Sequence, residues 1–299
     1  MKKIKAFFFS LFFFNLHTYA QPGLFLKDSI SGLRLFVINS DFPLLKLLIP
    51  GQPNTDRGIE IEFPEHVTGL NRQRNAVEHL YLVSRGDDNY RTLPVWKKEG
   101  NALLYETQIN GNIRMIAKAK LDSAGITYTY TFTNLSDISY QNLQAVTCVK
   151  LYSVFSDTLL ERTYVHHADG FDLLASETPQ RLTMPLDKWL PCRYLVSYSW
   201  PVVPKKIDKG EDSITRYYKS KKADKPFIAT YSHDKKWIAA TYTAETGNLW
   251  TNPERSCQHA DPSITLNIHE TKSLVLKTFL FKGSPEMLLK YIAKERNQN

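Results

Sequence analysis

Apolar and polar residues alternate along much of the chain, and a period of two is typical of β-strands. The clearest segment is 126–133, where aromatic and aliphatic side chains alternate with threonine. Segments 113–121 and 143–151 also keep their apolar residues on one side, and 274–281 is more continuously apolar. Another alternating set is Ile264, Leu266 and Ile268. Turn-forming Gly, Asn and Asp residues separate these segments, so the chain is predicted to consist mainly of half-buried strands.

Helical periodicity is clear only near the C-terminus. Ser284 can cap a helix, Pro285 suits its first position, and Glu286 favours the positive end of the helix dipole. One apolar face follows, formed by Leu288, Tyr291 and Ile292. Many strands, one short helix and no alternation of strands with helices predict an all-β fold, a large two-sheet β-sandwich.

The first 20 residues have the features of a secretory signal peptide. Three lysines precede an apolar run at 6–16, and small residues occupy positions 18 and 20. The run is shorter than the roughly 20 apolar residues that a membrane span requires. We expect cleavage after Ala20, one mature domain at 21–299, and a secreted or periplasmic location.

The net charge of +8 falls to +5 when the three lysines of the leader are removed. Much of the remaining positive charge lies in 204–226, where Asp and Glu are interspersed with Lys. Such a segment is typical of a solvated loop, and we predict that it forms a hairpin insertion. No nucleic-acid-binding motif is present, and no later stretch is apolar enough to span a membrane. We therefore expect neither kind of partner for the mature chain.

The chain has three cysteines, Cys148, Cys192 and Cys257. Under oxidising conditions two of them could form a disulfide and leave one thiol, or all three could be buried thiols, which we favour. The cysteines are far apart in sequence, and Cys257 with His259 is weak as metal-ligand spacing. The sequence alone therefore predicts no metal site and no other cofactor.

Two similar stretches contain most of the candidate chemistry, ERTYVHHADGFD at 161–172 and ERSCQHADP at 254–262. An imidazole beside a carboxylate can act as acid or base near neutral pH. We expect the two stretches to meet on one concave sheet face. The candidate catalytic residues are His166, His167, Asp169, His259 and Asp261. The alternative is structural: a strand-end histidine paired with Asp169, and a loop at 254–262 held by its own turns.

The candidate ligand-binding residues combine hydrogen-bonding groups with an aromatic ring. They are Arg162, Asn252 and Arg255 near the two stretches, and His79, Arg91 and Trp96 in the polar and aromatic segment 62–96. An aromatic ring can cover the C–H face of a sugar while polar groups bind its hydroxyls. This composition predicts a carbohydrate ligand.

Segment 126–152 resembles the middle of galactose mutarotase-like proteins, in which a strand ends in an Asn-x-Ser-Asp turn and a strand with site residues follows. Here the turn is 134–137. The whole mature chain is also similar to a group of secreted bacterial proteins of the same type. The resemblance implies a β-supersandwich and a carbohydrate ligand. In sugar epimerases of the family a histidine acid lies on the second strand, but Thr147 occupies the matching position here. Aldose 1-epimerase activity is therefore not expected.

The sequence leaves the type of function open between two classes. One is a secreted or periplasmic protein that binds or acts on an oligo- or polysaccharide. The other is a non-catalytic structural or interaction protein of the cell envelope. The absence of any strong catalytic motif is compatible with both. Whether the protein is an enzyme, and which glycan it binds, does not follow from the sequence.

Overall fold

The computed structural model describes residues 23–40, 42–52, 57–82, 94–109, 112–178 and 191–297. The expected leader, its cleavage site and Arg91 lie outside these ranges. Strands dominate the described residues, and the C-terminal helix α1 (Pro285–Arg296) follows the last of them. Among the described residues, no helix combines the length and apolar character that crossing a membrane requires.

The first sheet has eight strands. They are β1 (Phe25–Lys27), β2 (Arg34–Ile38), β3 (Leu44–Leu48), β4 (Ile59–Asn71), β5 (Ala76–Leu82), β10 (Tyr140–Lys150), β19 (Cys257–Gln258) and β20 (Ser263–Leu266). The order is β1-β2-β3-β4-β10-β19, with β5 beside β4 and β20 beside β10. The register between β4 and β10 shifts twice, as in β-bulges, and bulges change where side chains point.

The second sheet has nine strands and is antiparallel throughout. They are β6 (Lys97–Glu99), β7 (Ala102–Ile109), β8 (Ile113–Asp122), β9 (Gly125–Asn134), β11 (Thr163–His167), β12 (Gly170–Leu173), β16 (Phe227–Tyr231), β17 (Trp237–Tyr242) and β21 (Thr271–Lys282). The order is β12-β11-β16-β17-β21-β9-β8-β7-β6.

A third, smaller sheet was not expected from the sequence. It contains β13 (Cys192–Ser197), β14 (Ile207–Lys209), β15 (Thr215–Tyr218) and β18 (Asn248–Thr251), in the order β14-β15-β13-β18. The hairpin β14–β15 lies within 204–226, which confirms the predicted hairpin insertion. A separate apolar cluster, which includes Tyr194, Val196 and Leu249, joins this sheet to Val165 and Ile228 of the second sheet.

The main core lies between the first two sheets. The alternating residues of β9 all point into it, since Ile126, Tyr128, Tyr130 and Phe132 have no exposed surface. Phe63 of the first sheet meets this row from the other side, with ring centroids 5.3 Å from Tyr128 and 4.8 Å from Tyr130. The predicted all-β sandwich is therefore confirmed, and its alternating strands supply the core.

The C-terminal part of the chain follows the expected pattern except at Ile268. The face of α1 that holds Leu288 and Ile292 packs against apolar residues of the second sheet, as its periodicity predicted. Ile268 does not continue the buried row of β20, because it lies in the turn beyond the strand and is 47% exposed. The alternation thus predicted this strand two residues too long.

The turn at 134–137 is held by the side chain of Asn134. Its Oδ1 accepts hydrogen bonds from the backbone N–H and the hydroxyl of Ser136. Its Nδ2 donates to the carbonyls of Ile138 and Asn267, at 2.7 and 2.9 Å. One buried amide therefore fixes the turn into β10 and ties it to the turn between β20 and β21.

Candidate functional site

A cavity of about 490 Å³ lies between the first sheet and the third sheet. Strands β4, β5 and β10 form one wall, and β13, β15 and β18 form the other. The residues that give it chemical character are Glu65, His66, Arg193, Trp200, Trp250 and Asp261. Both carboxylates and guanidinium groups thus face the same space as two indole rings.

Side-chain alternation on β10 divides the cavity from the main core. Gln144 and Val146 line the cavity, whereas the hydroxyl of Thr147 lies 2.6 Å from the hydroxyl of Tyr130 in the core. The backbone N–H of Thr147 also donates to Oδ1 of Asp261, at 3.3 Å. Thr147 therefore helps to position Asp261, but its own side chain does not line the cavity.

Trp250, His259 and Asp261 form a stacked unit on the third-sheet side of the cavity. The indole and imidazole rings are parallel within 9°, with centroids 3.6 Å apart. Two backbone hydrogen bonds between Trp250 and His259, of 3.1 and 3.0 Å, fix this pairing. Nε1 of Trp250 donates to Asp261 Oδ2 at 3.0 Å, and the guanidinium of Arg193 lies 5.0 Å from the indole centroid. The Trp250 indole, which faces the cavity, is thus held between the His259 ring and the Arg193 guanidinium.

The half-buried His66 and the buried His259 have opposite charge preferences. Burial lowers the pKa of His66 to about 4, with nearby His259, His79 and Arg193 acting in the same direction and Asp261 against it. Burial would also lower the pKa of His259, but the neighbouring Cys257 and Asp261 outweigh it and raise that pKa to about 10. His66 is therefore a neutral imidazole near pH 7, whereas the surroundings of His259 favour positive charge.

Stability is expected to fall on acidification because of His66. The unfolded chain takes up the proton near pH 6.5 and the folded chain only near pH 4, so stability declines as the pH falls through this window. The loss is at most about 3.5 kcal/mol, since one pKa unit corresponds to about 1.4 kcal/mol. Urea unfolding of the wild type and of His66→Asn between these pH values measures it. Equal pH dependence in the two proteins would contradict the assignment.

Trp200 lies at the mouth of the cavity and is 49% exposed. The backbone N–H groups of residues 198, 199 and 200 all donate to the carbonyl of Gly247, at 2.9, 3.0 and 3.2 Å. The indole packs so closely on this glycine that an added Cβ would lie 2.0 Å from the Trp200 Cε2 atom. Gly247 therefore allows the ring to lie flat at the rim.

Gly247→Ala is expected to displace the Trp200 indole into solvent. Because the ring is already half-exposed, it can move at a stability loss of less than about 1 kcal/mol. Acrylamide quenching of tryptophan fluorescence should rise, and the melting temperature should stay nearly constant. Gly23→Ala is the control, because an added Cβ there has no neighbour within 4 Å. Unchanged quenching in Gly247→Ala would show that the ring is not held by this contact.

The first histidine stretch lies elsewhere, on β11 and β12 of the second sheet. His166 Nδ1 is 2.6 Å from Asp224 Oδ1, and His167 Nδ1 donates to the carbonyl of Lys222 at 2.8 Å. Asp169 is exposed and pairs with Lys221 at 2.6 Å. None of the three histidine-stretch residues lines the cavity. The expectation that the two stretches meet on one face is therefore corrected, because β11 belongs to the second sheet while β19 extends the first.

The candidate ligand-binding residues separate into two groups. His79 and Asn252 line the cavity. Arg162 instead donates to the backbone carbonyls of Ser156 and Tyr231, and Arg255 is exposed outside the cavity. Trp96 is 6% exposed in the main core, so its assignment as a ligand platform is corrected.

Several cavity residues were not selected from the sequence. Arg193 and Arg216 lie side by side only because β13 and β15 pair in parallel, with these two residues in register. Nothing in the sequence indicates that pairing. Glu65 and His66 do lie in the polar and aromatic segment 62–96. Trp200 and Trp250 are of a residue type that sugar sites use, so composition alone was the available signal for them. The turn preceding β19 also places Cys257 and His259 behind Trp250, which residue spacing did not reveal.

No protein-family model matches the sequence, and no curated protein matches it. Solved structures do resemble the fold. A galactose mutarotase-like protein from Lactobacillus casei is 12% identical, with a TM-score of 0.50, over 86% of this chain and 99% of that one. A putative aldose 1-epimerase from Escherichia coli is 9% identical, with a TM-score of 0.45, over 87% and 100%. The α-N-acetylgalactosaminidase NagBb from Bifidobacterium bifidum is 8% identical, with a TM-score of 0.47, over 90% and 39%. The protein has the galactose mutarotase-like fold.

Proposed function

We propose that the protein is secreted or periplasmic and binds a carbohydrate in the cavity between the first and third sheets. The cavity carries this proposal, because it combines two indoles with carboxylates and guanidinium groups in about 490 Å³. Ligand sites typically occupy about 300–1,000 Å³ and contain few, well-placed polar groups. Export is supported by the leader-like first 20 residues.

Sugars match this set of side chains. Each hydroxyl both donates and accepts hydrogen bonds, so Glu65 and Asp261 can accept while Arg193 donates. Trp200 and Trp250 offer apolar ring surface for the C–H faces of a pyranose. Two buried polar atoms at the cavity, Arg193 Nε and Asn252 Oδ1, have no hydrogen-bond partner among the described residues. Buried polar atoms usually have partners, and a bound hydroxyl satisfies both kinds of group.

The same groups define what chemistry the cavity can perform. His66, neutral near pH 7, and the carboxylates of Glu65 and Asp261 line one space, so proton transfer to or from a bound sugar is open to them. The proposal does not include aldose 1-epimerase activity. At the position that matches the epimerase acid, the Thr147 side chain lies in the core beside Tyr130.

The test is a calorimetric screen of the mature chain against monosaccharides, oligosaccharides and polysaccharides, with product analysis of every sugar that binds. We expect at least one sugar to bind and Arg193→Gln to weaken that binding at least tenfold. Arg114→Gln is the matched control, because Arg114 pairs with Glu106 on the second sheet. A broad panel without binding, or equal losses in both variants, would refute the proposal.

A further inference from the structure

Behind Trp250, the fold brings together two cysteines and a histidine. The sulfur atoms of Cys148 and Cys257 and a ring nitrogen of His259 all lie within 4.8 Å of one another. The three residues are 2%, 1% and 0% exposed. We propose that they bind a divalent cation that prefers sulfur ligands, such as Zn²⁺. The proposal does not rest on carbohydrate binding.

Strand pairing explains how residues far apart in sequence meet. Strands β10 and β19 are antiparallel neighbours, with Val149 opposite Gln258 and Lys150 opposite Cys257. This register places Cys148 diagonally across from Cys257. His259 lies two residues after Cys257, so on extended chain both point to the same side. The cluster is not apparent from the sequence spacing, because strand pairing rather than a short loop brings its residues together.

The histidine lacks the partners that a buried imidazole requires. Neither ring nitrogen of His259 has a hydrogen-bond partner among the described residues, although the side chain is fully enclosed. Burying a polar group without a partner destabilises a fold. Nδ1 lies 3.6 Å from Asp261 Oδ2, beyond a normal hydrogen bond but close enough to tighten. A carboxylate in this position commonly orients a metal-binding histidine.

Cys257 is held ready to act as a thiolate. The backbone N–H of Asn252 donates to its sulfur at 3.3 Å, across the 3₁₀ turn Pro253–Arg255. The last residue before the cysteine, Ser256, adopts a left-handed conformation with φ of 45°, which closes the turn. A hydrogen-bond donor aimed at sulfur stabilises its anionic form, and the thiolate is the form that binds metals.

Two carboxylates also lie near Cys148, but they form a separate group that does not include Cys257 or His259. Carboxylate oxygens of Glu62 and Glu65 lie within 4.8 Å of its sulfur and of each other. Glu62 is 5% exposed and its Oε1 is paired with Lys150 Nζ at 2.5 Å, so this carboxylate is already engaged by a cation. Two thiolates and an imidazole form a three-ligand set suited to Zn²⁺, with the fourth position left to water, whereas Mg²⁺ and Ca²⁺ prefer oxygen ligands alone. Binding displaces whatever protons the two sulfur atoms and the imidazole still carry, and it involves no oxidation.

The test uses the mature chain, reduced and stripped with a chelator, and titrated with Co²⁺ as a spectroscopic probe. We expect one equivalent to bind, with a thiolate-to-cobalt charge-transfer band and the visible bands of tetrahedral Co²⁺. Zn²⁺ should displace the cobalt and raise the melting temperature. Cys148→Ser and Cys257→Ser should lose the charge-transfer band or weaken binding at least 100-fold. Cys192→Ser, a buried cysteine of another apolar cluster, should retain both.

Two results would overturn the proposal. One is a reduced wild type that binds no Co²⁺ or gives only the spectrum of an all-oxygen site. The other is a charge-transfer band that Cys192→Ser loses as fully as the other two variants do. If the serine variants do not fold, the wild-type spectrum and stoichiometry decide alone. Carbohydrate binding is measured separately by calorimetry, so failure of either proposal is recognised independently.

Discussion

Phe63→Ala is expected to lower the free energy of unfolding by about 3–5 kcal/mol, the usual range for an aromatic ring removed from a core. The ring is fully buried and joins the two main sheets. Besides Tyr128 and Tyr130, it contacts Tyr105 edge-on with centroids 6.2 Å apart. Its loss leaves a cavity at the centre of the sandwich that the rigid strands on either side cannot close.

Urea unfolding followed by circular dichroism measures this loss. Phe25→Ala is the matched control, because Phe25 lies on the edge strand β1 and is 47% exposed. We expect it to change stability by less than about 1 kcal/mol. A similar loss in both variants would show that Phe63 does not carry the contact between the sheets.

Trp200→Ala is expected to weaken carbohydrate binding by about 10- to 100-fold, that is, about 1.4–2.8 kcal/mol. The indole presents a flat apolar face at the cavity mouth, where it rests on Gly247. An exposed ring that packs on one glycine adds little to the core. The melting temperature should therefore remain nearly constant while affinity falls.

Isothermal calorimetry with the best sugar from the screen measures the effect, and Phe25→Ala again supplies an aromatic control of similar exposure, 47% against 49%. Binding retained in Trp200→Ala would move the ligand contact to Trp250, deeper in the cavity. If the variant loses both ligand binding and its cooperative unfolding transition, Trp200 would instead be identified as a structural residue.

The fold was predictable because the alternation of apolar and polar residues in each main strand indicates which side of that strand is buried. In β8 and β9 the apolar side of the alternation is the buried side, whereas β10 is buried on both sides from Ala145 to Lys150. The turn-forming residues mark the ends of these strands. The C-terminal helix was equally clear from its capping residues and apolar face. The third sheet was not, since its strands are three to six residues long and two of them pair in parallel. Such short segments carry too little periodicity to be recognised.

The candidate site was predictable only in part, for the same reason. His259 and Asp261 are at or next to the cavity, but His166 and His167 have similar sequence surroundings and lie on another sheet. Local sequence indicates which side chains are polar and near a strand end. It does not indicate which strands become neighbours, and that choice decides whether two histidines meet.

The walls of the cavity come from residues as distant in sequence as Glu65 and Asp261. Contacts that close such long loops form late and slowly, because chain entropy must be lost before they stabilise anything. The cavity therefore exists only after the first and third sheets have both assembled. During refolding, ligand binding should appear in the slowest phase, after the circular dichroism of the strands has largely recovered. A bound ligand would then report selectively on molecules that have finished folding.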